Sequence, residues 1–230
     1  DEIPVITKGE LLECQKASLP FGDMLTCPPS SLRRIYVSPG PIYDPGGGDS
    51  LPVPLFAYAL YAMGFRKGDI VINTSSYHLV PGGLYCDEAL GYLGAVTVPT
   101  GVGNSELQIQ VMRDARVTGY IGMPSFLMTL LQRIKDKGYD FRKDFALRKA
   151  GFYGELVLPS TKEELARDYG IFATEFYGTA DLGTITYECE QRNGMHVLSG
   201  WIIEIVDPET GKRRETGEVG EITVTCLSKT

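Results

Sequence analysis

Apolar residues first recur at helical spacing between Leu55 and Met63, and Gly64 closes that stretch. Asp69-Ile-Val-Ile-Asn73 then reads as a short buried strand. The alternation continues with a helix over Leu84–Leu93 and a strand over Ala95–Pro99. A helix from Ser105 to Arg116 is followed by a strand over Gly119–Gly122. Pro124 suits a helix start, and Phe126, Leu127, Leu130, Leu131 and Ile134 repeat on one face until Gly138. Lys149–Tyr153 and Ile171–Phe176 are strand-like, separated by a helix that ends at Gly170. Ser105…Gln108 and Ser160…Glu163 have capping-box spacing, which lets Gln108 reach back to the Ser105 amide. Strands separated by helices of this length predict an α/β fold, a mostly parallel sheet with helices on both faces.

Beyond residue 182 the pattern changes. Ile185, Tyr187 and Cys189 alternate, Trp201–Val206 and Gly220–Thr225 are strand-like, and Asp207–Gly211 is a turn with no helix intervening. An antiparallel β region is expected there. Before residue 51 the chain reads as irregular, with loop signals at Pro20-Phe-Gly-Asp23, Ser38-Pro-Gly-Pro41 and Asp44-Pro-Gly-Gly-Gly-Asp49. The expected division is therefore 1–50, 51–182 and 183–230. The Gly-rich run is a poor phosphate cradle, because Pro39, Pro41 and Pro45 remove amide donors and no Lys is near. A surface loop or substrate lid is the stronger reading.

Composition narrows the function. The 230 residues carry 29 acidic and 22 basic side chains, a formal charge of −7. That argues against a nucleic-acid partner, which needs clustered Lys and Arg, but allows a small anionic ligand. Five scattered cysteines suggest no disulfide framework and a reducing, cytoplasmic setting. No apolar run approaches the roughly 20 residues that span a bilayer, so no membrane partner is expected. The chain opens on Asp-Glu-Ile-Pro without an initiator Met and closes near a strand-like Ile222–Thr225. Both ends are expected to lie within a longer protein.

Ligands of open α/β sheets bind beyond the carboxyl ends of the strands. Tyr153-Gly-Glu-Leu156 and Glu175-Phe-Tyr-Gly-Thr-Ala-Asp181 each set a Gly and a carboxylate straight after a buried strand. Gly admits a flat ring to the backbone, Tyr offers a stacking face, Glu175 can accept from an exocyclic amine, and Asp181 suits Mg2+. From spacing alone, two turns with solvated acids is the weightier alternative. A third strand end carries Tyr77 and His78, then Gly82 and Gly83, small and aromatic residues that can line an acyl pocket or form a plain strand-to-helix loop. Cys189 and His196 flank a turn and together suit Zn2+, with Cys226 or His78 as completing ligands. The plainer reading is a small buried thiol and a hydrogen-bonded imidazole. Gly101-Val-Gly103 is too short a fragment of a dinucleotide fingerprint to support an oxidoreductase.

At these stretches the sequence resembles the phenylacetate-CoA ligase family of the adenylate-forming enzymes, and within it the coenzyme F390 synthetase-related branch. The resemblance runs through Ile6-Thr-Lys8, Pro20-Phe-Gly22, Ser38-Pro-Gly-Pro41, Pro124-Ser125 and Leu147-Arg-Lys-Ala150. It continues over Tyr177-Gly-Thr-Ala-Asp181, Tyr187-Glu-Cys-Glu190, Asn193-Gly-Met-His196 and Val206-Asp-Pro-Glu-Thr-Gly211. It implies part of the large N-terminal domain of such an enzyme. It also implies ATP-dependent activation of a small carboxylic acid, usually aryl or arylacetic, as an acyl-adenylate, followed by transfer to CoA.

Carried over by motif, Gly154, Glu155 and Leu156 lie along the adenine and Glu175 meets its amine. Tyr177, Gly178 and Thr179 contact the nucleotide, and Asp181 takes the place of the Glu that holds Mg2+. Tyr77, His78, Gly82 and Gly83 face the acid, and His78 and Thr179 are the catalytic candidates. A homodimer is compatible with the resemblance. Three departures accompany it: Ser38-Pro-Gly-Pro41 replaces the Ser/Thr/Gly-rich phosphate loop, Ala180 replaces a hydroxyl residue, and the chain stops before the ribose-binding Asp and the small lid with its catalytic Lys. The fragment alone is therefore expected to be inactive, and a non-catalytic nucleotide- or acyl-binding module is the alternative.

Overall fold

A computed structural model describes residues 4–46 and 53–226. The chain forms two compact units, residues 52–198 and residues 1–51 with 199–230.

The segment 1–50, expected to be irregular, is not so within its described residues 4–46. A helix, α1 (Lys8–Ala17), starts at a capping box in which Thr7 accepts from the Glu10 amide and Glu10 reaches back to the Thr7 amide at 2.8 Å. Two strands, β1 (Arg34–Ser38) and β2 (Ile42–Gly46), pair antiparallel, with Pro39-Gly40-Pro41 between them. Loop-forming residues marked the turn correctly, but the short strands on either side carry too little periodicity to read. Gln15 of α1 is buried, and its side-chain amide both donates to and accepts from the Tyr43 backbone at 2.8 Å. The rest of the Asp44–Asp49 cluster, beyond Gly46, lies outside the described residues.

The larger unit holds the α/β core. Its elements are α2 (Val53–Ala62), β3 (Ile70–Asn73), α3 (Gly82–Leu93), β4 (Val96–Val98), α4 (Ser105–Asp114) and β5 (Gly119–Gly122). Next come α5 (Pro124–Asp136), α6 (Phe141–Asp144), β6 (Lys149–Phe152), α7 (Pro159–Glu164), β7 (Phe172–Thr179), β8 (Gly183–Glu188) and β9 (Met195–Val197). A seven-stranded sheet has the order β4-β3-β5-β6-β7-β8-β9. Its first five strands are parallel, and β7-β8-β9 are antiparallel.

Helices cover both faces, as the alternation predicts. On one, Phe56 of α2 stacks on Tyr85 of α3 with centroids 4.7 Å apart and meets Phe176 of β7 at 5.0 Å. On the other, Met112, Leu127, Leu130, Leu131 and Leu165 pack with Tyr120, Ala150, Phe152 and Ala173 in one buried cluster. The smaller unit also contains β10 (Trp201–Val206) and β11 (Glu221–Cys226), an antiparallel pair closed as expected around the 207–211 turn.

Neither later capping box forms. The cap residue of α4 is Asn104, and Gln108 turns away to donate to Gly101 O at 2.8 Å and Thr100 Oγ1 at 3.2 Å. Pro159 opens α7 one residue before Ser160, with Leu158 as the cap residue. In both cases the helix starts earlier than the motif requires, so the hydroxyl sits inside the first turn. The boundary expected at 182/183 falls in the turn joining β7 to β8, which pair across it.

Candidate functional site

The strand order contains a switch point. From β3 the chain crosses to β4 on one side and then returns to β5 on the other, so the carboxyl ends of β3 and β5 diverge into loops that leave a crevice. Asn73, the last residue of β3, organises this end. Its buried amide donates to Tyr77 Oη and to Gly83 O, both at 2.9 Å, and accepts from the Ser75 amide at 3.1 Å. Its carbonyl accepts from the Gly101 amide at 3.1 Å and from Thr100 Oγ1 at 3.3 Å. One residue thus ties together the 74–81 loop and the start of α3 through its side chain and the 99–104 loop through its backbone carbonyl. Gly101-Val-Gly103 is part of that last loop and is no dinucleotide turn.

Tyr77 is half-buried and His78 is exposed, its backbone held by Ser76 Oγ at 3.2 Å. Gly82 and Gly83 open α3; a side chain on Gly83 would strike Ser76 O at 2.6 Å, so only glycine fits there. Burial raises the phenols of Tyr77, Tyr120 and Tyr153 above their ordinary value, and it pushes the Cys86 thiol up to about 12. Because charge is costly where water is excluded, these groups stay neutral.

The second crevice opens between β6 and β7. Their parallel ladder ends at Phe152↔Glu175. Past that rung β7 continues as partner of β8, whereas β6 turns away through Gly154, whose φ of +80° is left-handed. The 154–156 segment therefore leaves the ladder where Phe176 and Tyr177 take β8 as their partner. The rings of Tyr153 and Phe176 stack across the opening, with centroids 4.9 Å apart. Tyr153 also links the two crevices, since its hydroxyl lies 3.7 Å from where a side chain on Gly82 would begin.

Leu156 is 84% exposed, and Tyr177 and Gly178 are exposed as well. Glu155 caps α5, accepting from the Ser125 amide at 3.2 Å and its Oγ at 2.7 Å. Glu155→Gln should weaken this cap and lower stability by about 1 kcal/mol, read as a shift in the urea midpoint. Thr179 Oγ1 accepts from the Leu182 amide at 3.2 Å, shaping the turn that carries Asp181. Glu175 accepts from Lys162 Nζ at 2.6 Å, a partner the sequence did not suggest.

The zinc expectation is not supported. The β8–β9 ladder pairs His196 with Tyr187, and the imidazole stacks on that ring at 5.3 Å. Cys189 lies past the end of the ladder. Among the described residues no group of three or more His, Cys, Asp and Glu side chains is placed to hold a metal.

Residues 55–226 match the family model described as AMP-binding enzyme. The chain belongs to the AMP-binding enzyme family. Two phenylacetate-coenzyme A ligases are similar to this family member over 99% of its length. That of Thermus thermophilus is 28% identical and covered to 52%, and that of Pseudomonas putida is 29% identical and covered to 53%. Among solved structures, an open 2-hydroxyisobutyryl-CoA ligase in complex with 2-HIB-AMP and CoA superposes at a TM-score of 0.90. It has 25% sequence identity and covers 98% of this chain and 51% of that one. The chain spans about half the length of the curated relatives it matches. No helix among the described residues is long and apolar enough to cross a membrane.

Proposed function

We propose that the full-length protein is an AMP-forming acid–CoA ligase of the cytoplasm. In this reading a carboxylate attacks the α-phosphate of ATP, pyrophosphate leaves, and CoA thiolate then displaces AMP from the acyl-adenylate. The observation that carries it is the parting of β6 and β7 after the Phe152↔Glu175 rung, where Tyr153 stacks on Phe176 and the 154–156 and 177–181 segments leave the shared ladder, in a chain of the AMP-binding family. Gly154, Glu155 and Leu156 would line the base, and Tyr177, Gly178 and Thr179 the sugar and phosphate. Tyr77, His78, Gly82 and Gly83 would meet an aryl or arylacetic acid at the switch-point crevice, whose tyrosines and buried thiol are neutral. His78 and Thr179 are the catalytic candidates.

Asp181 would hold Mg2+. A single carboxylate suits that ion, which keeps several waters and takes most of its other ligands from phosphate. Bound there, it would neutralise charge on the phosphates. Asp181→Asn in the full-length protein should leave AMP affinity within about threefold and raise the Mg2+ needed for pyrophosphate release about tenfold. Parent protein that releases no pyrophosphate with a panel of aryl acids, yet binds AMP, would establish the second reading, a nucleotide-binding module without catalysis. That reading draws on the β1–β2 turn, where Pro39 and Pro41 supply no amide donors.

A further inference from the structure

Among the described residues Lys162 is the only buried Lys or Arg. It projects from α7, and its ammonium donates to Glu175 Oε1 at 2.6 Å and Glu188 Oε2 at 2.7 Å. The three side chains are 11%, 24% and 8% exposed. One cation between two carboxylates is an expensive arrangement to bury. Apolar residues of similar volume commonly serve stability as well or better, so stability alone is a weak reason to keep it.

What the triad does define is a position. Glu175 is the last residue of β7 on the β6 ladder, and Phe176 is the first on the β8 ladder, paired with Tyr187. Glu188 follows Tyr187 on β8. Immediately afterwards the β7–β8 register shifts between Tyr177 and Gly178. Lys162 thus grips the two strands where β7 changes neighbours and the crevice opens. Its own helix is firmly seated: Leu165, three residues on, is fully buried in the core cluster. There the helix widens into a π turn over Leu165–Tyr169, a rare feature that recurs at functional sites.

We infer that Lys162 is a positioning residue for the nucleotide crevice: by joining Glu175 of β7 to Glu188 of β8 it sets where Tyr177–Asp181 stand against the 153–156 loop. The inference rests on the nucleotide reading of that crevice and adds a residue that does not touch the ligand. Glu175 acts here as an anchor for the strand.

The test uses the full-length protein, with AMP titrated calorimetrically and amide hydrogen exchange followed over 176–181. Lys162→Gln should bind AMP about tenfold more weakly, with faster exchange in that segment. Lys162→Arg, which keeps the charge and both hydrogen bonds, should stay within about threefold of the parent. A merely structural role would lower the melting temperature but leave the folded protein's AMP affinity and the exchange of 176–181 unchanged, and that result would overturn the inference. Should Lys162→Gln fail to fold, Glu188→Met keeps the Lys162–Glu175 pair and removes only the tie to β8. It should weaken AMP binding at least about threefold, and parent-like affinity would count equally against the inference. A parent protein that does not bind AMP would remove the nucleotide reading itself, and the inference with it. Parent binding with unaltered variants would remove the inference alone.

Discussion

Lys162→Met is expected to destabilise the protein by about 3–5 kcal/mol, the cost of leaving buried carboxylates without their cation. Glu188 is 6% exposed and cannot regain solvation once the ammonium 2.7 Å away is removed, whereas the Glu175 side chain, 2.6 Å from it, is 24% exposed and recovers part of its hydration. The same physics gives an opposite expectation when all three charges are removed together. A Lys162→Met, Glu175→Leu, Glu188→Met triple variant buries no charge, and its stability should return to within about 1 kcal/mol of the parent or exceed it. AMP affinity should remain low in the triple variant, because an apolar cluster lacks the directional contacts that hold β7 to β8. Urea unfolding of the parent, single and triple variants checks the first part and titration the second. A triple variant as unstable as the single one would show that the loss is packing and not an uncompensated charge.

Gly178→Ala is expected to cost the folded state at least about 1–3 kcal/mol and to weaken AMP binding about tenfold or more. Its new Cβ would lie 2.2 Å from Gly183 O, 2.9 Å from Gly183 C and 3.0 Å from the Thr184 Cα. All three atoms are backbone of β8 or the turn before it, so no rotamer change relieves the clash and the hairpin itself must move. That movement falls on the register shift between Tyr177 and Gly178 and carries Thr179 and Asp181 with it. Gly154→Ala offers a contrast on the opposite side of the crevice. There nothing lies nearer than 3.9 Å, and the cost comes only from the left-handed φ of +80°, about 1–2 kcal/mol. Equal effects from the two substitutions would mean that β8 yields more readily than its ladder implies.

Much of the larger unit was legible from the sequence because its information is local. Buried parallel strands such as Ile70–Asn73 and Gly119–Gly122 are short apolar runs, and the amphipathic α5 repeats Leu127, Leu130, Leu131 and Ile134 at helical spacing. Gly and Pro punctuate them at Pro124, Gly138 and Gly170. Capping was less legible. Thr7 and Glu10 form a true box, while Ser105 and Ser160 carry the spacing without the geometry. A side-chain cap depends on where the first turn begins, which neighbouring loops set.

The strand-end motifs named most of the candidate residues, since a Gly and an acid after a buried strand are adjacent in the chain. Their partners were hidden because they come from elsewhere. Lys162 meets Glu175 across 13 residues and Glu188 across 26, and Asn73 meets the 99–104 loop through its backbone carbonyl, which no side-chain pattern announces. Zinc failed for a similar reason. Cys189 and His196 are close in sequence, but the antiparallel register puts the imidazole on Tyr187 and leaves the thiol beyond the ladder.

By itself, then, the sequence determined the alternation of buried strands and helices, the glycines and acids at the strand ends, and the family motifs they form. Those follow from periodicity and from backbone freedom at single residues. Tertiary structure alone decided where β7 leaves β6 for β8, which side chains are shut away there, and that a lysine on α7 joins two of the carboxylates. Burial and strand register arise only when distant segments pack, and they decide whether a charge is solvated at a turn or locked beneath a crevice.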